Sequence, residues 1–210
     1  MAPALSTAGI AVVDNADWHE TSPKGWAEWV GFFAALTNTE ATASTLYEGW
    51  VTDYDDAAAL AATATEHPTV IDGSMFQGTW YMAAGDSIRA TFIADAGGDY
   101  LFGDNDATGT ATADIETLLA DGVDAEVWVG VSDFFTTRSE AVAIDERYGA
   151  FAAWDGLGVF STVGSPTPGL SFAESGPTMI GPYLRDFVKA IHPELATDHE
   201  FVFLTQIPNE

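Results

Sequence analysis

From Ser87 to Asp95 the chain reads SIRATFIAD, with Ile88, Ala90, Phe92 and Ala94 on one set of alternate positions and Arg89, Thr91 and Asp95 on the other. Alternation of this kind marks a half-buried strand, because successive side chains of a strand point to opposite faces. The turn AGGD and the segment YLF follow, as in a hairpin. AEVWVGVSDFF sets Val127, Val129 and Val131 inward and leaves Trp128 on the opposite side. MFQGTWYMAA, EAVAID, YGAFAAW, LGVFSTV and the closing EFVFLTQI add further short strands, separated by Gly, Asp and Pro.

Three segments carry helical signals. Asp53 or Asp55 caps DDAAALAATATEH, which ends at His67-Pro68 because proline disfavours helix in the residue before it. Asp114 caps a short turn through Leu118 and Leu119, stopped at Asp121-Gly122. In PYLRDFVKAIH, Pro182 suits the first helical position, and Leu184, Phe187, Val188 and Ile191 form a stripe spaced i, i+3, i+4, i+7. GWAEWVGFFAAL fits either helix or strand. The sum is mainly β (α+β by content): a β-sandwich, jelly roll or barrel with a few peripheral helices. Residues 1–210 form a single β-rich domain with an aromatic-rich N-terminal segment over 1–52, and GSPTPG is too short to divide it.

Charge narrows the setting. Acidic residues number 32 against 6 basic ones, for a formal charge of −26, while 47% of residues are hydrophobic. A disordered acidic tail would lack that apolar content, so this is a folded domain with a carboxylate coat. Such a coat repels itself in dilute buffer and is screened in molar salt, where the Debye length is about 3 Å. With only Lys24 and Lys189 as lysines, the composition resembles that of proteins from salt-accumulating halophiles, especially haloarchaea and their viruses.

The same charge argues against nucleic acid as a partner and against an anionic membrane surface. The chain has no cysteine, which removes disulfides, thiolate metal sites and Cys nucleophiles. The opening MAPALSTAGIAVVD has no basic n-region and does not read as a secretory signal.

FGDNDATGTATADIE, Phe102 to Glu116, imitates a calcium loop through Asp104, Asp106 and Thr108, with Gly109 at the sharp turn. Counted from Asp104, the twelfth position is Ile115, and Glu116 arrives one residue late for the bidentate ligand. A solvated loop is the better reading, with Asp104, Asp106, Thr108 and Glu116 kept as weak metal candidates. HPELATDHE places His192 and His199 with Glu194, Asp198 and Glu200, yet Pro193 breaks the spacing and a helix cap with a surface loop accounts for it. There is no G-x-S-x-G elbow, phosphate loop or dinucleotide fingerprint. No catalytic residue is assigned and no enzyme is expected. No cofactor is expected beyond Na, K, Mg or Ca ions held weakly on carboxylates.

The aromatic stretch at the N-terminus is the strongest remaining signal. Trp18, Trp26 and Trp29, with Lys24 in the turn between them, are candidates for a contact surface, because large rings anchor interfaces. These observations lead to an expected structural subunit of a haloarchaeal virus particle, from capsid or tail. It would pack against copies of itself and other virion proteins, without nucleic acid or membrane insertion, in a virion assembled in a high-salt cytoplasm. The alternatives are a halophilic hydrolase with carboxylate-based or hidden-triad catalysis, and a carbohydrate-binding module.

Overall fold

The computed structural model describes residues 2–132 and 134–210; Asp133, inside the expected strand segment AEVWVGVSDFF, lies outside them. In chain order the elements are α1 (Ala2–Thr7), α2 (Pro23–Thr37), α3 (Glu40–Ala61), β1 (Thr69–Asp72), β2 (Ser74–Phe76), β3 (Thr79–Ala83), α4 (Ile88–Asp95), β4 (Asp99–Tyr100), β5 (Thr110–Ala113), α5 (Ile115–Asp121), β6 (Val127–Val131), α6 (Arg138–Ile144), β7 (Gly158–Ser161), α7 (Phe172–Ser175), α8 (Ile180–Ile191) and β8 (Thr205–Gln206). A five-stranded sheet has the order β4-β1-β6-β7-β8, parallel except for β8. A small antiparallel sheet, β2-β3-β5, sits beside it. The expected sandwich, jelly roll or barrel is therefore corrected to an α/β fold with helices over a parallel sheet.

The central strands show why the β reading misfired. Val70, Val127, Val129 and Phe160 face one core with Tyr54, Phe92, Tyr183 and Phe187 from α3, α4 and α8. Ile71, Trp128 and Val159 face a second core, which holds Trp80, Leu118 and Tyr148. Both faces of the sheet are covered, as parallel sheets require, so Trp128 is as buried as its neighbouring valines. At Gly130 (φ +73°) β6 bulges against β7, and the parity flips: Val131 joins Trp128 in the second core.

SIRATFIAD is a helix. The Ser87 side chain accepts from Ala90 N (3.2 Å) as an N-cap, and Ala90, Phe92, Ile93 and then Ala96 turn one face to the core. EAVAID falls in α6, capped by Thr137, and most of YGAFAAW is 3-10 turn. GWAEWVGFFAAL lies in α2, capped by Ser22 with Pro23 at its first position. Helix α3 starts thirteen residues before Asp53, at Glu40, and α8 starts two residues ahead of Pro182. Asp114 caps α5 as expected, accepting from Thr117 N at 2.8 Å.

Two devices fix the site's surroundings. The β2–β3 hairpin turns on Gln77 and Gly78, both at positive φ as a two-residue turn demands. The C-terminal segment is moored by Asp186 of α8, which is fully buried. Its carboxylate accepts from the backbone of Val202, Phe203 (2.6 Å) and Leu204 (2.8 Å) and meets His199 Nε2 at 2.6 Å. His192 and His199 thus serve in packing: His192 lies 3.4 Å from the Gly97 carbonyl oxygen.

Candidate functional site

A cavity of about 640 Å³ opens at the carboxyl ends of β1 and β6, beside Gly73, which follows β1, and Gly130, at the bulge of β6. Ligands of open α/β sheets bind at that edge. One part of its wall is the N-terminal stretch Trp18 to Thr21, and Tyr81, Ile88 and Arg89 also line it. Thr108, Gly109 and Thr110 line it as well, so the calcium-like stretch borders the cavity.

At the base lies one ion pair. Arg89, on the first turn of α4, donates from Nη1 to Asp72 Oδ1 at 3.0 Å. Asp72, the last residue of β1, is fully buried, and its Oδ2 accepts from Ala83 N at 2.6 Å. Its carbonyl accepts from Trp80 Nε1 at 2.8 Å. One aspartate therefore joins the parallel sheet, the antiparallel sheet and α4. Gly130 is obligatory beside it: a Cβ there would stand 2.1 Å from Asp72 Oδ1.

The electrostatics favour a permanent cation at this point. The Asp72 carboxylate raises the Arg89 pKa further above its ordinary value and outweighs burial, which pulls it down. Burial raises the pKa of Tyr100, whose hydroxyl donates to Ala83 O at 2.6 Å. The Tyr183 hydroxyl is buried beside Arg89. Its pKa is raised by burial, with the Arg89 charge opposing. A guanidinium has five N–H donors, and Arg89, with 28% of its side chain exposed, presents its outer face to the cavity.

The residues singled out in the sequence occupy separate places. Trp18 is the most exposed large ring (73%) and lines the cavity, tilted 31° against His19 at 3.5 Å between centroids. Trp26 is buried against Phe172. Trp29 is half-buried and donates from Nε1 to Glu20 Oε1 at 2.8 Å. Lys24 pairs with Asp55. Asp104 and Asp106 are exposed in a loop whose corner is Asn105, which accepts from Gly85 N and Ala107 N. Glu116 pairs with Arg147 at 2.8 Å. No group of three or more His, Cys, Asp or Glu side chains suited to a metal ion occurs among the described residues.

Asp72, Arg89 and Tyr81 were not singled out by sequence reasoning. The available signal was Arg89, one of six cations, in SIRATFIAD, with a glycine after one strand in IDGS and inside another in VGVS.

A cleft at the carboxyl edge of a parallel sheet is where open α/β folds take up ligands. Residues 2–155 match the family model described as periplasmic binding protein, and the chain belongs to that family. It is 33% identical over 125 residues to an uncharacterized lipoprotein of Methanocaldococcus jannaschii, a match that covers 58% of this chain and 29% of that protein. The chain thus spans under a third of the length of that relative.

Solved structures share the fold at low identity. A possible iron-binding (periplasmic solute-binding) protein from Staphylococcus epidermidis has a TM-score of 0.69 at 14% identity, over 91% of this chain and 70% of that one. The apo periplasmic heme-binding protein of Roseiflexus gives 0.70 at 16%, over 92% and 71%. An ABC transporter substrate-binding protein from Listeria monocytogenes gives 0.65 at 14%, over 92% and 72%.

Family membership overturns the virion expectation in each of its parts. A capsid or tail subunit, copies of itself and virion proteins as partners, and a particle assembled in the cytoplasm all give way to a family of binding proteins named for the periplasm. Among the described residues no helix is long and apolar enough to cross a membrane.

Proposed function

We propose that this chain captures a solute outside the cytoplasmic membrane and delivers it to the permease of an ABC transporter, binding and releasing it unchanged. The observation that carries this reading is Arg89: a buried-side ion pair fixes the guanidinium, and its remaining donors face a ring-lined cavity at the end of the sheet. Such a surface suits a ring-containing solute that bears carboxylate or other anionic oxygens, with Trp18, Tyr81 and Phe172 against its faces. Haem and ferric chelates combine those properties, in keeping with the iron- and heme-binding neighbours in fold. The protein itself needs no resident cofactor. Its carboxylate coat holds Na, K, Mg or Ca ions weakly.

Titration of the protein with haemin and with a ferric tris-catecholate, followed by tryptophan quenching in molar KCl, tests the reading. Saturable binding of either probe is expected, and Arg89→Met should weaken it at least about tenfold, the factor equivalent to a charge-assisted hydrogen bond of ~1.5 kcal/mol. Failure of both probes to bind, or binding that Arg89→Met leaves unchanged, would overturn it.

A further inference from the structure

The wall of the cavity that carries Trp18 is attached lightly. Residues 17–19 form a single 3-10 turn closed by its own backbone bonds, with His19 N donating to Ala16 O and Glu20 N to Asp17 O. Among the described residues, two hydrogen bonds tie the stretch from Trp18 to Thr21 to the body of the protein. Thr91 Oγ1 of α4 donates to Thr21 O at 3.3 Å, a long contact. Trp29 Nε1 of α2 donates to Glu20 Oε1 at 2.8 Å, short and charge-assisted.

The second bond has a prepared seat. Gly25, in the first turn of α2, gives Glu20 its room: a Cβ there would lie 2.7 Å from Glu20 Oε2. The carboxylate therefore rests at the positive end of a 15-residue helix. On its far side a hollow of about 260 Å³, lined by Glu20, Glu28, Trp29 and Phe32, leaves the Trp29 ring incompletely packed. The Phe32 ring, 5.1 Å away between centroids, packs on that indole, and the hydrogen bond joins it to the carboxylate. Glu20 borders both hollows.

We infer that Glu20 is a positioning residue: through its bond to Trp29 it latches the Trp18–His19 turn over the cavity and so sets the ring that covers the solute. The inference rests on the solute-binding reading for its purpose, while the latch itself is a property of the free protein. Glu20→Gln keeps an oxygen that accepts from the indole, Glu20→Ala does not, and Trp29→Phe keeps the ring without the donor.

The chain has no cysteine, so Asp17→Cys provides a single site for a nitroxide label beside Trp18. In the ligand-free protein, Glu20→Ala and Trp29→Phe should each mobilise the label severalfold in its spectrum, and Glu20→Gln should leave it immobilised. Thermal midpoints read on the same samples exclude unfolding as the cause, and the Glu20→Ala against Glu20→Gln contrast stands even where Trp29→Phe folds poorly. Haemin affinity should fall about fivefold in Glu20→Ala, the factor that matches ~1 kcal/mol for one hydrogen bond, and recover in Glu20→Gln. A label equally immobile in Glu20→Ala and Glu20→Gln overturns the latch. Haemin that fails to bind the unmutated protein counts against the solute reading instead, and label mobility still decides the latch.

Discussion

Asp72 and Arg89 meet at 3.0 Å with unequal exposure: the Asp72 side chain is fully buried and the Arg89 side chain is 28% exposed. Removing the arginine strands a charge inside the protein, whereas removing both leaves a smaller defect. Arg89→Met should therefore destabilise the fold by roughly 3 kcal/mol, the low end for breaking a buried pair because Arg89 retains some solvent. Arg89→Met with Asp72→Asn should recover part of that loss, measured by denaturant unfolding. A double variant no more stable than Arg89→Met would contradict the account.

Asp186 gives the second prediction. Its two oxygens take backbone donors from Val202, Phe203 and Leu204 and the His199 ring. An asparagine would turn an NH2 toward those donors and leave at least one of them unpaired. Asp186→Asn should cost at least ~2 kcal/mol and release the strand β8 region first. Hydrogen exchange would show it as lost protection at Phe203 and Leu204 before any change in α3.

Acid should weaken the fold through three capping carboxylates. Backbone and side-chain bonds from Thr117 hold Asp114 below its ordinary value of 3.8. Bonds from Thr136 hold Glu140 below 4.5, and side-chain bonds from Arg147 hold Asp145 below 3.8. A carboxyl with a depressed native pKa contributes stability that is present above the unfolded value and lost as pH falls through the native one. The unfolding midpoint should hold above about pH 5 and drop below about pH 4. Asp145→Asn should make that drop shallower, and an unchanged slope would remove Asp145 from the explanation.

Salt should act in the other direction. Lys24, Arg89, Arg138 and Arg147 pair with carboxylates, four of the six cations, against 32 acids. Most acidic groups are left to repel one another. Dilution from molar KCl to ~0.1 M lengthens the screening distance from about 3 to about 10 Å. Tryptophan fluorescence should record a lower thermal midpoint on dilution; an unchanged one would rule out carboxylate repulsion as a determinant of stability.

Local signals in the sequence were sound where an element's environment was ordinary. The α8 stripe of Leu184, Phe187, Val188 and Ile191 is buried, Asp114 caps α5, and the β6 and β7 segments are strands. What failed was any inference that needed to know what covers a face. In α4, Ile88, Ala90, Phe92 and Ala94 alternate as a strand would, while the Ser87 cap and the Phe92–Ile93–Ala96 grouping carry the helical alternative. Small residues such as Ala90 and Ala94 fit both periods, so the pattern could not choose. Parallel order is set by crossovers and leaves little mark on individual strands. The site was still less legible, because Asp72 and Arg89 are seventeen residues apart and meet only once the sheet and α4 have packed.

The placement of Arg89 has a consequence for the rate at which an anionic solute arrives. A molecule of net charge −26 repels anions over the reach of its field, while the guanidinium attracts only at contact. Capture and approach are then opposed, the reverse of electrostatic steering, in which a favourable far field accelerates encounter. Screening removes the far field first and leaves the short, partly desolvated contact nearly intact. Association of an anionic solute should accelerate as salt is added, with little change in the dissociation rate. Brine would then act as the condition under which the cavity becomes reachable.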